Sequence, residues 1–176
     1  MTSPAPNDTA RETMRFGYGD TTLGTMVVAE SVHGVAALFI GDDRAQLLSD
    51  LNDSFRGIDF VLDQTGLAQT IAKAVAMIEA PQCGTDLPLD LRGSRLELSV
   101  WTTLRGIPAG ETRTYGTITQ YLPMPATAQE VGAACAANRI AVAVPCHRVV
   151  KSDGSISGYR WGVQRKRRLL NMEGVA

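Results

Sequence analysis

The sequence predicts an α+β chain in two parts, and three observations carry that prediction. Glycine-separated apolar runs of strand length occupy the first quarter. Two helical patterns and an alternating segment follow. At Gly93 the chain changes to short helices with polar caps and proline-containing turns. With 176 residues, 44% of them hydrophobic, it can bury a real core, as one domain or as two small ones.

Each element has a local reason. Residues 1–13 are rich in Ser, Thr, Pro, Ala and Asp and read as a flexible leader or linker stub. The first part is residues 14–92. Within it, residues 16–18, 25–29 and 35–40 read as strands, with turns at Gly24 and at His33-Gly34. Asp42-Asp43 precedes a helix carrying Leu47, Leu48, Leu51 and Phe55, and residues 67–78 form a second amphipathic helix. Residues 81–92 read as extended chain, with Leu87, Leu89 and Leu91 alternating against Pro88, Asp90 and Arg92. The second part is residues 93–176. A helix over residues 96–104 ends at Ile107-Pro108-Ala109-Gly110. Thr114 caps a short helix over 115–121, Pro123 and Pro125 break the chain, and Thr127 caps the next helix over 128–137. Two short helices around a tight proline-containing turn suit a helix-turn-helix. The second helix is thin, because residues 132–137 are Gly, Ala and Cys. Such a surface suits a narrow space, such as a DNA minor groove, or close packing against another helix. Turns at Ser152-Asp153-Gly154 and Gly158 lead to a basic final helix.

Charge is unevenly spread behind a net value of −1. From Trp101 onward there are ten bases and four acids; the first 100 residues hold seven bases and fourteen acids. This points to a polyanionic partner for the second part, or to a basic helix, Arg165 to Arg168, pairing with the acidic part. No run approaches the roughly 18 apolar residues of a membrane helix. The first eight residues lack the pattern of a secretory signal. Cys83, Cys135 and Cys146 are an odd number without a CxxC pair, and His33 and His147 are the only histidines. A disulfide framework and a metal site are therefore both poorly supplied, and a reducing cytoplasm is the expected setting.

The chemistry concentrates at Pro145-Cys146-His147-Arg148-Val149-Val150, directly after the apolar run Ile140-Ala141-Val142-Ala143-Val144. A thiol where a buried segment stops, beside an imidazole, suits a nucleophile; an inert structural cysteine has the same spacing. Further segments stand around it. They are Val28-Ala29-Glu30-Ser31 with Gly41-Asp42-Asp43, Ile107 to Thr112, Ala134-Cys135-Ala136-Ala137-Asn138, and the run from Gly154 through Tyr159-Arg160-Trp161-Gly162.

Together these segments resemble the O6-alkylguanine-DNA alkyltransferases, or methylated-DNA–protein-cysteine methyltransferases. The likeness is strongest to the alkyl-acceptor part of the bacterial adaptive-response members, and it runs from about Phe16 to the end. It implies a ribonuclease-H-like first part and a winged-helix-like helix-turn-helix in the second. The implied partner is double-stranded DNA carrying O6-alkylguanine, and O4-methylthymine as well. No cofactor, metal or membrane is implied, and the protein would act as a monomer.

The resemblance also implies a role for each site residue. The target base leaves the stack, and Cys146 takes its alkyl group once and irreversibly. Glu173 orients His147, which takes the Cys146 proton through a water. Tyr115 gives a proton to the leaving base, and Asn138 stabilises the turn before the active-site segment. Val149, Ser157, Gly158, Tyr159 and Arg160 line the base pocket, with Tyr159 as an apolar wall and Lys166 nearby. Ala128, Gln129 and Ala136 face the DNA from the recognition helix. Cys135 and Cys83 have no role, and nothing matches the zinc ligands or phosphotriester-repair cysteines found in some members. Leu96 stands where an aromatic residue is common. The larger departure is Gln129, in place of an arginine that fills the gap left by the flipped base, with acidic Glu130 beside it. Two rival readings stay open: a damaged-DNA sensor or transcriptional regulator without repair, motivated by Gln129, and a Cys-His hydrolase.

Overall fold

The structure is a computed structural model and describes residues 10–175. Three consecutive strands, β1 (Thr13–Thr21), β2 (Gly24–Ser31) and β3 (Gly34–Gly41), form antiparallel hairpins. The short strand β4 (Asp59–Leu62) adds in parallel beside β1, giving the order β3-β2-β1-β4. Gly24 (φ 123°) and Gly34 (φ 144°) take up the positive φ that the turns require. The sequence gives no alternation around β4, whose residues are largely exposed, and it was not expected there. The leader over 1–13 lies mostly outside the described residues. Thr13 already opens β1, Glu12 makes a bidentate ion pair with Arg92, and Arg11 meets Asp59.

Helices α1 (Arg44–Ser54) and α2 (Ala68–Glu79) cover opposite faces of the sheet. Asp43 caps α1 by accepting from the Ala45 and Gln46 amides. Tyr18 points toward α1, with the Arg44 guanidinium 4.9 Å from its ring centre. Its neighbours Gly17 and Gly19 point the other way. A Cβ there would fall 2.8 Å from Ile71 and 2.9 Å from Val75, so two missing side chains let α2 lie close on β1. Residues 81–92 are extended as expected, except that Pro81–Cys83 closes into a 3-10 turn.

The second part is helical: α3 (Arg95–Arg105), α4 (Tyr115–Thr119), α5 (Ala128–Ala136) and α6 (Val163–Met172). Ser94 and Thr127 begin α3 and α5 with complete capping boxes, and Thr114 caps α4. The first helix of the expected pair ends at Thr119, two residues early. Trp101 on α3 donates 2.8 Å to the Ala134 carbonyl of α5. Two tiny strands, β5 (Arg113–Thr114) and β6 (Val149–Val150), pair in parallel. At two residues each they are too short for any periodicity to reveal.

The two parts share one hydrophobic cluster, which contains Phe39, Leu38, Trp101, Leu104, Ile140 and Val144. The otherwise unpaired edge of β3 is covered twice. Val35 bonds to Pro88 and Asp90, and Leu38 bonds to Arg139 and Ala141. The apolar run over 140–144 is thus buried against β3, as a docked irregular segment rather than a strand. Arg165 also joins the parts, through Asp42 at 2.7 Å and the Leu23 carbonyl at 2.7 Å. The pairing of the basic helix with the acidic part therefore holds for Arg165, while Arg167 and Arg168 are exposed. No helix among the described residues is long and apolar enough to cross a membrane.

Gly34→Ala tests the edge of β3. The new Cβ would fall 2.5 Å from the Pro88 carbonyl oxygen at a φ that disfavours it. A loss of about 1–3 kcal/mol is expected, read as a lower denaturant midpoint with an unchanged m-value.

Candidate active site

Cys146 is placed by two tight turns in succession. The Ala143 amide bonds to the Ala141 carbonyl at 2.7 Å across Val142, which has a φ of 68°. A β-branched residue there is strained. The Cys146 amide then bonds to the Val144 carbonyl at 2.8 Å across Pro145 (φ −81°, ψ 60°), an inverse γ-turn that the fixed φ of proline suits. Residues 146–148 continue as one 3-10 turn.

Asn138 holds these turns together. Ala137 occupies the C-cap of α5, and Asn138, the next residue, is 1% exposed. Its Oδ1 accepts from the Ile140 amide at 2.9 Å. Its Nδ2 faces the Val144 carbonyl at 3.0 Å, the Cys146 sulfur at 3.3 Å and the Ile140 carbonyl at 3.4 Å. A simple helix cap would make none of these contacts.

Behind the thiol lies a charged cluster shut off from solvent. The side chains of His147 and Glu173 are fully buried, and His147 Nε2 is 2.8 Å from Glu173 Oε1. Arg148 donates from Nε and Nη2 to the same carboxylate and from Nη1 to the Ile107 carbonyl. Burial alone would raise the Glu173 pKa, but the bonds from His147 and Arg148 outweigh it and bring it down to about 2. Burial lowers the His147 pKa against the pull of Glu173, so the imidazole is neutral at pH 7. With an ionised carboxylate at Nε2, the proton sits on Nε2 and Nδ1 is the free base. Nδ1 is buried and has no protein partner. Burial also raises the Cys146 pKa, partly offset by Asn138 and Lys166, so the resting thiol is protonated and needs a base to ionise.

In front of the thiol is a cavity of about 370 Å³ lined by Tyr115, Gly132, Cys135, Ala136, Cys146, Gly158, Tyr159 and Arg160. The structure therefore brings Tyr115, Gly158, Tyr159 and Arg160 together around Cys146, and Ala136, expected to face the DNA, lines the same cavity. Val149, Ser157 and Lys166 are not on the cavity wall. Val149 is fully buried and offers its carbonyl to Lys166 Nζ at 2.7 Å. Ser157 bonds to the Tyr115 hydroxyl and to Lys166. Ala128 and Gln129 are exposed in the first turn of α5, away from the cavity. Cys135, expected to be only a core residue, is buried and lines the cavity as well. Gly132 and Arg148 were not anticipated. Arg148 had a signal in the sequence, since it follows His147 directly and shares the burial of that segment.

Comparison with known proteins agrees with this geometry. Residues 95–175 match the family described as 6-O-methylguanine DNA methyltransferase, DNA binding domain. The chain is 41% identical over 160 residues to the bifunctional transcriptional activator/DNA repair enzyme Ada of Escherichia coli, covering 91% of this chain and 45% of that one. It is 32% identical to the methylated-DNA–protein-cysteine methyltransferase of Candida albicans, covering 89% and 94%. The crystal structure of Mycobacterium tuberculosis OGT in complex with DNA superposes with a TM-score of 0.73 at 30% identity, covering 91% and 93%. The chain belongs to the methylated-DNA–protein-cysteine methyltransferase family. It spans about half the length of the Ada proteins it matches.

The buried cluster fixes the direction of acid sensitivity. Glu173 is ionised in the fold well below its ordinary 4.5, so its stabilising contribution is complete above that value and is lost as pH falls toward about 2. His147, depressed below its ordinary 6.5, contributes in the same direction, because unfolding lets it protonate as pH drops below that value. Glu173→Gln should cost about 3–5 kcal/mol at neutral pH, because it leaves Arg148 buried without a counter-charge. It should also flatten the acid limb of stability against pH, as measured by urea unfolding.

Proposed function

We propose that this protein repairs DNA by direct reversal, moving the alkyl group of O6-alkylguanine, and of O4-methylthymine, from duplex DNA onto Cys146 in a single irreversible turnover. The observation that carries the proposal is the Cys146 thiol on the wall of a cavity, followed in the same turn by a neutral, carboxylate-oriented imidazole. Neither a sensor nor a hydrolase needs all of this. A sensor needs no thiol, and a hydrolase needs no thin helix at the mouth of its pocket.

The steps follow from the groups present. The target base turns out of the stack into the cavity, at a cost of a few kcal/mol. His147 Nδ1 takes the Cys146 proton through a bridging water, and Glu173 stabilises the imidazolium as it forms. The thiolate attacks the alkyl carbon, forming the S–C bond as the C–O6 bond breaks. Tyr115, on the cavity wall, protonates the departing guanine anion. Asn138 keeps the sulfur in place, and Tyr159 closes one side as an apolar wall. A thioether has no ready route back to a thiol, so the protein is spent.

DNA would meet the exposed small face of α5, where Gln129, Gly132, Ala133 and Ala136 recur at helical spacing. Residues 93–176 would form the DNA-facing unit and residues 14–92 its support, and the protein would work as a cytoplasmic monomer. Gln129 fills the position of the gap-filling arginine. It hydrogen-bonds but lacks the charge and the stacking plane of a guanidinium, and Glu130 beside it repels phosphate. Chemistry is then intact while delivery of the base is weakened.

Intact-protein mass after incubation with a duplex bearing O6-methylguanine tests the proposal. One added methyl on the Cys146 peptide, absent in Cys146→Ser, is the expected result. Tight binding of damaged DNA without a mass change would favour the sensor instead. Gln129→Arg should raise the transfer rate on duplex DNA by about tenfold, roughly the worth of one charged contact, with little change on the free alkylated base. An equal rate on duplex DNA would refute the delivery argument.

A further inference from the structure

We propose that Lys166 is a proton reservoir that restores Tyr115 through the Ser157 hydroxyl as guanine leaves, an inference that rests on the alkyl transfer proposed above. Lys166 Nζ is 2.9 Å from Ser157 Oγ, and Ser157 Oγ is in turn hydrogen-bonded to the Tyr115 hydroxyl. The chain of contacts therefore runs unbroken from a buried amine to the cavity wall. Lys166 is 0% exposed, and its partners are the carbonyls of Val149 and Gly158 and the Ser157 hydroxyl, all neutral. A fully buried lysine with no carboxylate is costly to keep charged. A purely structural role would be filled more cheaply by an apolar side chain.

The direction of the bonds suits a relay. An ammonium only donates, so Lys166 gives a hydrogen to Ser157 Oγ. That leaves the Ser157 hydrogen for the Tyr115 oxygen and the Tyr115 hydrogen for the cavity. Tyr115 alone is a poor final donor. Burial raises its pKa, and yielding its proton would leave a phenolate in an enclosed site. Burial acts oppositely on Lys166 and lowers its pKa, which eases the release of its proton.

The protons and charges balance. When the C–O6 bond breaks, its electron pair stays on guanine. Tyr115 passes its phenolic proton to that anion, Ser157 passes its hydroxyl proton to the Tyr115 oxygen, and the Lys166 ammonium passes one to Ser157. Guanine leaves neutral, Tyr115 and Ser157 are as before, and Lys166 is left as a neutral amine. The Cys146 proton departs separately to His147. The titratable groups around Lys166 are Cys146 and His147 on the 3-10 turn and Cys135 on α5, with Tyr115 on α4 reached through Ser157.

Two variants separate a relay from a structural cation. Ser157→Ala cuts the chain while leaving Lys166 bonded to Val149. Lys166→Arg keeps the charge and the donors but does not release a proton. Single-turnover methyl transfer from a duplex bearing one O6-methylguanine would be followed across about pH 6 to 10, with DNA affinity and melting temperature measured alongside. Each variant should slow transfer by about tenfold or more, and the alkaline decline of the unaltered protein should disappear in Lys166→Arg. Full-rate transfer by Ser157→Ala would overturn the relay, as would full rescue by Lys166→Arg or an unchanged alkaline decline in it. If Lys166→Arg fails to fold, Ser157→Ala decides alone. No transfer by the unaltered protein would overturn the alkyl-transfer reading, and the relay with it.

Discussion

The buried carboxylate of Glu173 is the constraint around which the second part is organised. A charge with no exposed surface must be paired or it will not stay charged. Here it is paired twice, by Arg148 and by the proton on His147 Nε2. Both partners come from the same 3-10 turn, so satisfying Glu173 also fixes the turn that begins with Cys146. Arg148 reaches on to the Ile107 carbonyl, which ties in the loop that leads to Tyr115. One carboxylate at the end of α6 thus sets the imidazole tautomer and the orientation of the nucleophile's turn. Arg148 also tempers His147. By sharing the carboxylate it weakens the pull toward imidazolium, so the base stays neutral until a proton is delivered.

The other side of the nucleophile is held by backbone. The strained φ of Val142 costs about 1–3 kcal/mol, and something must repay it. The pairing of Arg139 and Ala141 with Leu38 fixes one end of the segment. Asn138, bonded within the segment at both Oδ1 and Nδ2, fixes the other. This explains why a sheet far from any chemistry belongs to the active site. β3 needs its edge covered, and the segment that covers it carries the thiol at its end.

Much of this was legible in the sequence. The three first strands, the helix starts at Asp43, Thr114 and Thr127 and the helix over 96–104 follow from turn residues and apolar spacing, whereas the capping box at Ser94 was not anticipated. So does the burial of residues 140–144. β4 was not legible, because an exposed edge strand of four residues lacks the alternation that a buried face imposes. The site divides in the same way. Cys146 and His147 are adjacent in sequence, so their pairing could be read directly. Glu173 lies 26 residues away, and its meeting with His147 depends on how α6 docks. The resemblance supplied that pairing; periodicity could not. Ser157 and Val149, expected to line the pocket, lie off its wall, while Lys166 is near it as expected. Sequence register fixes which residues are near a pocket, whereas side-chain direction fixes which of them face it.

The arrangement keeps the thiol, the imidazole and the phenol of the site neutral at rest. Burial holds the Cys146 thiol protonated, the imidazole neutral and the Tyr115 phenol protonated. An exposed thiolate would react with any electrophile it met, and under the proposed single turnover that loss could not be recovered. On the proposed function, the cavity would select for the substrate, because only a base seated in it brings an alkyl carbon to the sulfur with a proton acceptor and a proton donor at hand. Selectivity of this kind would reside in the cavity and its hydrogen-bonded surroundings, to which the thin helix α5 contributes Gly132, Cys135 and Ala136. On the proposed function, glutamine in place of arginine at position 129, exposed in the first turn of α5 and off the cavity wall, would alter how often a base is delivered rather than what happens to it afterwards.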